Sequence, residues 1–250
     1  MTERRDGVQV LSRAALLLRE LSVAPEGLTP IALADRVGLP RSTCYRIAGA
    51  LCQEGFMRLA PSGKLHIGAG LISIAAAGRR ELRHEAAPFL RRLSLELHET
   101  VELVVLDGDE ALFTDQYVPQ RSLRVVAEVG DRFPLYCTAC GKAILAELSE
   151  EEAERLIPDR IRPLTGHTIV DRRALLREIE AARAAGVAFD RQEHTLGVSA
   201  VGAAVQDPGG SMAAITVAMP AARLEGQEER IVAALLRARN DIQKAIAHAG

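Results

Sequence analysis

The stretch LTPIALADRVGLPRSTCYRIAGALCQ, residues 28–53, constrains the fold more than any other part of the chain. Thr29 is placed to cap a helix and Pro30 to begin it, since the N–H that proline lacks has no partner in a first helical turn. That helix runs through Val37, and Gly38 ends it. A second helix begins around Pro40, so about three residues join two short helices, which is helix-turn-helix spacing. On a 3.6-residue wheel Cys44, Ile47, Ala48, Leu51 and Cys52 of the second helix gather on one face, which belongs in a core. The opposite arc carries Ser42, Arg46, Gly49 and Gln53, flanked by Thr43 and Tyr45, with Arg41 near the start. These are hydrogen-bonding groups without a carboxylate among them.

The flanks narrow the choice further. Residues 9–22 place Val10, Ala14, Leu17, Leu18 and Leu21 on a helical stripe, which predicts a first amphipathic helix. After Gly55 the hydrophobic period changes from 3.6 to 2, so FMRLA and KLHIG read as two strands around the turn PSG. Two strands after the second helix form a wing. Residues 8–68 are therefore expected to be a winged helix-turn-helix domain. An α-helix fits the major groove of duplex DNA, where Arg reaches guanine O6 and N7 and Gln reaches adenine N6 and N7. The hydroxyls of Ser42, Thr43 and Tyr45 suit phosphate oxygens, as does Thr29 with the backbone amides that open its helix. Lys64, at the wing tip, is expected along the DNA backbone or minor groove. Charge agrees with this reading: residues 1–80 hold 11 Lys or Arg against 6 Asp or Glu, while the rest of the chain holds 20 against 27.

Residues 69–82 are Ala-rich and suit a helical linker. A second unit, 83–250, opens with the stripe Leu82, Ala86, Phe89, Leu90, Leu93 and Leu97. VELVVL and ALFTDQYV flank the turn DGDE as a hairpin, SLRVVAEV follows as a third strand, and GVAFD, VSAVGAAVQ and MAAITVAM are three more, the last two joined by DPGG. Helices are expected after Thr138, after Ser149 with Glu152 as a capping box, from Asp171 to Gly186, and from about Leu224 to His248. Hairpin-linked strands with helices bunched between and after them give an α+β class with a mainly antiparallel sheet.

The segment YCTACGKA combines small residues, which permit close approach, with the start of a helix whose first amides have no partner within it. An anion fits there, so a carboxylate is expected against the amides of Ala139 and Cys140. No second CxxC or nearby His pair completes a zinc site around Cys137 and Cys140. The pair reads as small residues at a strand-to-helix turn, with two alternatives: a redox-sensing pair, or a cysteine nucleophile with His194 or His167 as base and Asp190 as orienter. No metal and no cofactor is expected. The chain lacks a dinucleotide or phosphate loop, a zinc-protease helix and a nucleophile elbow at any credible position. Neither a long apolar run nor a signal-peptide core is present, so a cytoplasmic, non-membrane protein is expected.

Three segments carry a resemblance to the IclR family of bacterial transcriptional regulators: LADRVGLPRSTCYRIAGALCQEGF, FPLYCTACGKAILA and VSAVGAAVQDPGGSMAAITVAMP. The resemblance implies a winged helix that dimerises on a palindromic operator and a linker helix. It also implies a GAF-like C-terminal domain binding a small organic effector, a homodimer or dimer of dimers, and control of a catabolic operon without enzymatic activity. It matches Ala139 and Cys140 to the effector loop and adds Asp190, Ala200, Thr216 and Ala218 as pocket positions. Family members often carry small polar residues at the last three, from which Ala200 and Ala218 depart. A less polar pocket follows, suited to an aromatic or longer acid, with Leu123 or Leu135 as lining candidates. Asp190 also reads as a hydrogen-bonded strand-end carboxylate, Lys142 as a solvated lysine, and Glu193 and His194 as surface or structural groups.

Overall fold

The computed structural model describes residues 9–71, 74, 80–206 and 212–249, and the chain divides into two compact units at residue 80. The first unit has helices α1 (Gln9–Ser22), α2 (Pro30–Val37) and α3 (Arg41–Gln53), then the antiparallel hairpin β1 (Met57–Leu59) and β2 (Leu65–Ile67). Thr29 caps α2, its hydroxyl accepting from the Ala32 N–H at 3.2 Å. Gly38 ends α2 with φ at 65°, a left-handed conformation that costs glycine little, and its N–H returns to the Ala34 carbonyl. Leu17 and Leu21 of α1, Leu33 of α2, and Cys44, Ile47, Ala48 and Leu51 of α3 close over Met57 and Leu65. Val10, by contrast, leaves the predicted stripe and is exposed. Leu28 exchanges backbone hydrogen bonds with Leu65, which ties the wing to the segment before α2.

The second unit runs α4 (Arg80–Leu97), β3 (Thr100–Asp107), β4 (Glu110–Tyr117), β5 (Arg132–Pro134), a 3₁₀ turn (Leu135–Cys137), α5 (Ala139–Glu147), α6 (Glu150–Leu156) and α7 (Arg172–Ala185). It continues with β6 (Ala188–Arg191), β7 (Val198–Gln206), β8 (Met212–Pro220), α8 (Ala221–Leu224) and α9 (Glu228–Ala249). Its six strands form one antiparallel sheet ordered β5-β4-β3-β8-β7-β6. Alternation assigns the two faces. Val101, Leu103, Val201, Ile215 and Val217 bury against the leucine stripe of α4 and the apolar side of α9. Thr100, Glu102, Ala200, Thr216 and Ala218 alternate with those residues along their strands, and Val104, Ala204 and Ala214 join the core under α5 and α7.

Two expected elements are corrected. SLRVVAEV is not a strand: residues 118–131 are irregular, and β5 follows them at Arg132–Pro134. Side chains take the place of a ladder, since Thr100 Oγ1 donates to the Val125 carbonyl at 2.6 Å and Gln116 Nε2 to the Ala127 carbonyl at 2.6 Å. The last helix begins at Glu228, a little later than expected, because Gly226 is left-handed at φ 70° and separates it from the short α8. The DPGG turn and half of the 69–82 linker lie outside the described residues.

Candidate ligand pocket and nucleic-acid face

On α3 the geometry follows from the wheel. Arg41, Ser42, Tyr45, Arg46, Gly49 and Gln53 are exposed and Thr43 is half-buried, while the core face points inward. Tyr45 is 51% exposed, and Arg46 makes no ion pair among the described residues. Arg41 lies 4.0 Å from Asp35 with both side chains largely in solvent, a contact worth little. Thr29 is exposed at the start of α2. Lys64, just after the wing turn, donates from Nζ to the Glu26 carbonyl at 3.2 Å.

In the second unit a cavity of about 510 Å³ opens between the sheet and the N-terminus of α5. Ala139, Cys140, Asp190, Ala200, Thr216 and Ala218, named separately from the sequence, all line it. Two glycines make the arrangement possible. A Cβ on Gly202 of β7 would sit 2.6 Å from the Ala139 carbonyl, and one on Gly141 would sit 2.3 Å from the Leu135 carbonyl. Only bare backbone lets the helix rest this close on the strand. Thr138 caps α5 by accepting from Gly141 N–H at 3.2 Å, and no acceptor within the chain meets the N–H of Ala139 or Cys140 among the described residues.

The walls are mixed. Phe133 meets Phe113 edge-on at 4.7 Å and the His194 ring at 4.5 Å, and this aromatic file lines one side. Residues 123–127 cover another side. Glu99 anchors this cover, pairing with Arg121 at 3.0 Å and with Arg223 at 2.7 Å, while Arg223 also donates to the Leu123 carbonyl. Asp190 is 4% exposed; its Oδ1 accepts from the N–H of Glu193 at 2.7 Å and of His194 at 3.4 Å. Burial nevertheless pushes its carboxyl up to about 7.

Lys142 corrects the solvated reading. It is fully buried, 2.6 Å from Glu193 and 3.4 Å from Glu178, and so joins the first turn of α5 to the loop after Asp190. Glu193 is structural, as the second expectation for it had it. His194 is not merely a surface group, because it lines the cavity. Of the two leucines, Leu123 lines the cavity and Leu135 is in the core beneath α5.

Sequence reasoning missed Glu102, which lies 3% exposed on the cavity floor. The available signal was a single carboxylate inside an apolar run that alternation would bury. The cysteine alternatives find no support in the site. Burial drives the Cys137 thiol far up and the Cys140 thiol to about 12, and a thiol held protonated is a poor nucleophile and slow to oxidise. Among the described residues no helix is long and apolar enough to cross a membrane.

Residues 10–61 match the IclR helix-turn-helix domain, and residues 74–244 match the family described as bacterial transcriptional regulator IclR C-terminal. The chain belongs to the IclR family. Among curated IclR relatives, the HTH-type transcriptional regulator Rv1719 of Mycobacterium tuberculosis is 45% identical over 234 residues, 93% of this chain and 90% of that protein. The HTH-type transcriptional regulator TtgV of Pseudomonas putida is 36% identical over 244 residues, 97% of this chain and 93% of that protein. A transcriptional regulator from Rhodococcus sp. RHA1 superposes with a TM-score of 0.81 at 26% identity, covering 98% of this chain and all of that one. An IclR homolog from Microbacterium hydrocarbonoxydans, solved with 4-hydroxybenzoate, shares the fold at a TM-score of 0.85 and 23% identity, with 96% of this chain and 99% of that one covered. The protein is thus a DNA-binding transcriptional regulator with an effector-binding domain, and its relatives are regulators.

Proposed function

We propose that this IclR-family regulator binds a palindromic operator as a homodimer or dimer of dimers and answers to a small organic acid, at an operon for that acid's catabolism. On DNA, Arg46, Gln53 and Gly49 face base edges. Arg41, Ser42, Thr43, Tyr45 and Thr29 hold phosphates, with Lys64 following the backbone once released from the Glu26 carbonyl. One observation carries the effector half of this reading: two unpaired amides, those of Ala139 and Cys140, border a largely apolar cavity at the start of a helix. The acid's carboxylate lies on those amides. Its body lies along Phe113, Phe133 and His194, where offset and edge contacts favour an aromatic ring. Ala200 and Ala218 offer methyl groups where a compact polar acid would need hydroxyls. Effector and operator then share one coupling free energy, so each shifts the other's affinity by the same factor.

Thermal-shift measurements on the full chain against aliphatic and aromatic acids test the effector half, because a ligand of the folded state raises the melting temperature by mass action. Aromatic acids are expected to raise it, and Ala218→Phe, which fills the cavity, to abolish the rise. A response confined to two- and three-carbon acids would overturn the aromatic assignment.

A further inference from the structure

Glu102 has no polar partner among the described residues. It sits at the middle of the sheet, 3% exposed, and among the described residues makes no hydrogen bond and no ion pair. Its cross-strand partner on β8 is Thr216, whose Oγ1 is buried without a hydrogen-bond partner of sound geometry. The neighbouring Cys140 thiol lies near Thr216 and feels the charge of Glu102, but its directed contact is to Thr138 Oγ1 at 3.5 Å. Two adjacent polar side chains are therefore left open on the floor of one cavity. A buried polar group without a partner costs stability, and a carboxyl group more than most. Glu102 and Asp190 are two buried carboxyls lining this cavity, and the basic groups lining it are Arg124, on the exposed cover segment, and His194, whose burial lowers its affinity for a proton. A bare carboxylate on the amides of Ala139 and Cys140 would share this cavity with Glu102, whose charge is felt at Cys140.

We propose that Glu102 and Thr216 form a recognition point for a hydrogen-bond donor, an O–H or N–H, carried by the effector next to its acid group, so that the ligand class is an α-hydroxy or α-amino acid with an apolar body. The inference rests on the effector reading above. A carboxyl oxygen accepts from such a donor in either protonation state, and the Thr216 hydroxyl completes the contact by donating to or accepting from the same atom. The donor also separates the effector carboxylate from Glu102. Burial pushes the Glu102 carboxyl up to about 8, as an acid without a charged partner beside it should be.

Isothermal titration of the full-length protein with four matched ligands tests this: phenylacetate, mandelate with an α-hydroxyl, phenylglycine with an α-ammonium, and 4-hydroxyphenylacetate with a remote hydroxyl. Mandelate or phenylglycine is expected to bind at least about tenfold more tightly than phenylacetate, and whichever leads distinguishes hydroxyl from ammonium. Glu102→Leu is expected to erase that advantage while phenylacetate binding stays or improves. Equal binding of phenylacetate and its α-substituted partners, a larger gain from the remote hydroxyl, or an advantage that survives Glu102→Leu would each overturn the proposal and leave the effector reading standing. Silence from all four would sink both. The ligand-free protein supplies a second readout, because a group kept for binding strains the empty fold. Glu102→Gln is expected to raise its melting temperature, and a fall would show Glu102 to be structural.

Discussion

The two units handle charge in opposite ways. On α3, Arg46 and Gln53 stand in water, supported by a core of Leu17, Leu33, Ile47 and Leu51 that they do not touch chemically. In the second unit Lys142, Glu193, Asp190 and Glu102 are all buried, and the first three are linked to one another through the turn that starts α5 and the loop after β6. An exposed face can be exchanged for another without disturbing the fold, which suits a surface that must fit one operator among many. A buried polar site is part of the fold, so binding and stability are coupled there. The comparison teaches where a mutation's effect should be sought: in affinity for the first unit, and in stability as well as affinity for the second.

The sharpest test of that contrast is Lys142→Met. Removing one partner of a buried pair leaves Glu193 uncompensated, and the expected loss is about 3–5 kcal/mol of stability in urea unfolding. Pairing it with Glu193→Leu is expected to recover much of that loss. A single-variant cost as small as a surface substitution's would break the comparison. Next in size is Arg46→Ala, expected to weaken binding to the specific operator by about 1–3 kcal/mol and to relax base preference at one position. Its unfolding midpoint should barely move, within about 0.5 kcal/mol. A stability loss instead would mean the α3 surface is less independent of its core than the structure implies.

The remaining test is with pH. Glu102 and Asp190 have folded values of about 8 and about 7 against ordinary values of 4.5 and 3.8. Between those limits the folded protein holds more protons than the unfolded chain, so stability falls as pH rises from about 4 toward 8. Their favourable contribution is complete below the ordinary values and lost once the folded values are passed. Melting temperature measured across that range is expected to fall less steeply in Glu102→Gln; an unchanged slope would remove Glu102 from the titration.

Legibility differed between the units for the same reason. Periodicity needs only a wheel, so Cys44, Ile47, Ala48 and Leu51 could be assigned inward and Ser42, Arg46 and Gln53 outward without knowing any neighbour. The caps at Thr29, Ser149 and Asp171 were equally local. Residues 122–129 misled because their alternation of apolar and polar groups imitates a strand, while the side chains that hold them come from β3 and β4. Lys142 misled because a lysine one turn into a helix is ordinarily solvated, and Glu193, which buries it, is far away in sequence.

By itself the sequence determined the winged helix, most of the strands and helices of the second unit in their order, and the small residues that let α5 approach the sheet. Each of these depends on the local period, on capping or on backbone clearance, and all three are written in neighbouring residues. Only the tertiary structure decided that Glu102 and Thr216 face each other across β3 and β8, that Lys142 closes on Glu193, and that an irregular segment covers the cavity. Those outcomes depend on strand register and on which distant group supplies a hydrogen bond. Such pairings are set by how the whole sheet buries its polar atoms, and no stretch of the chain carries them alone.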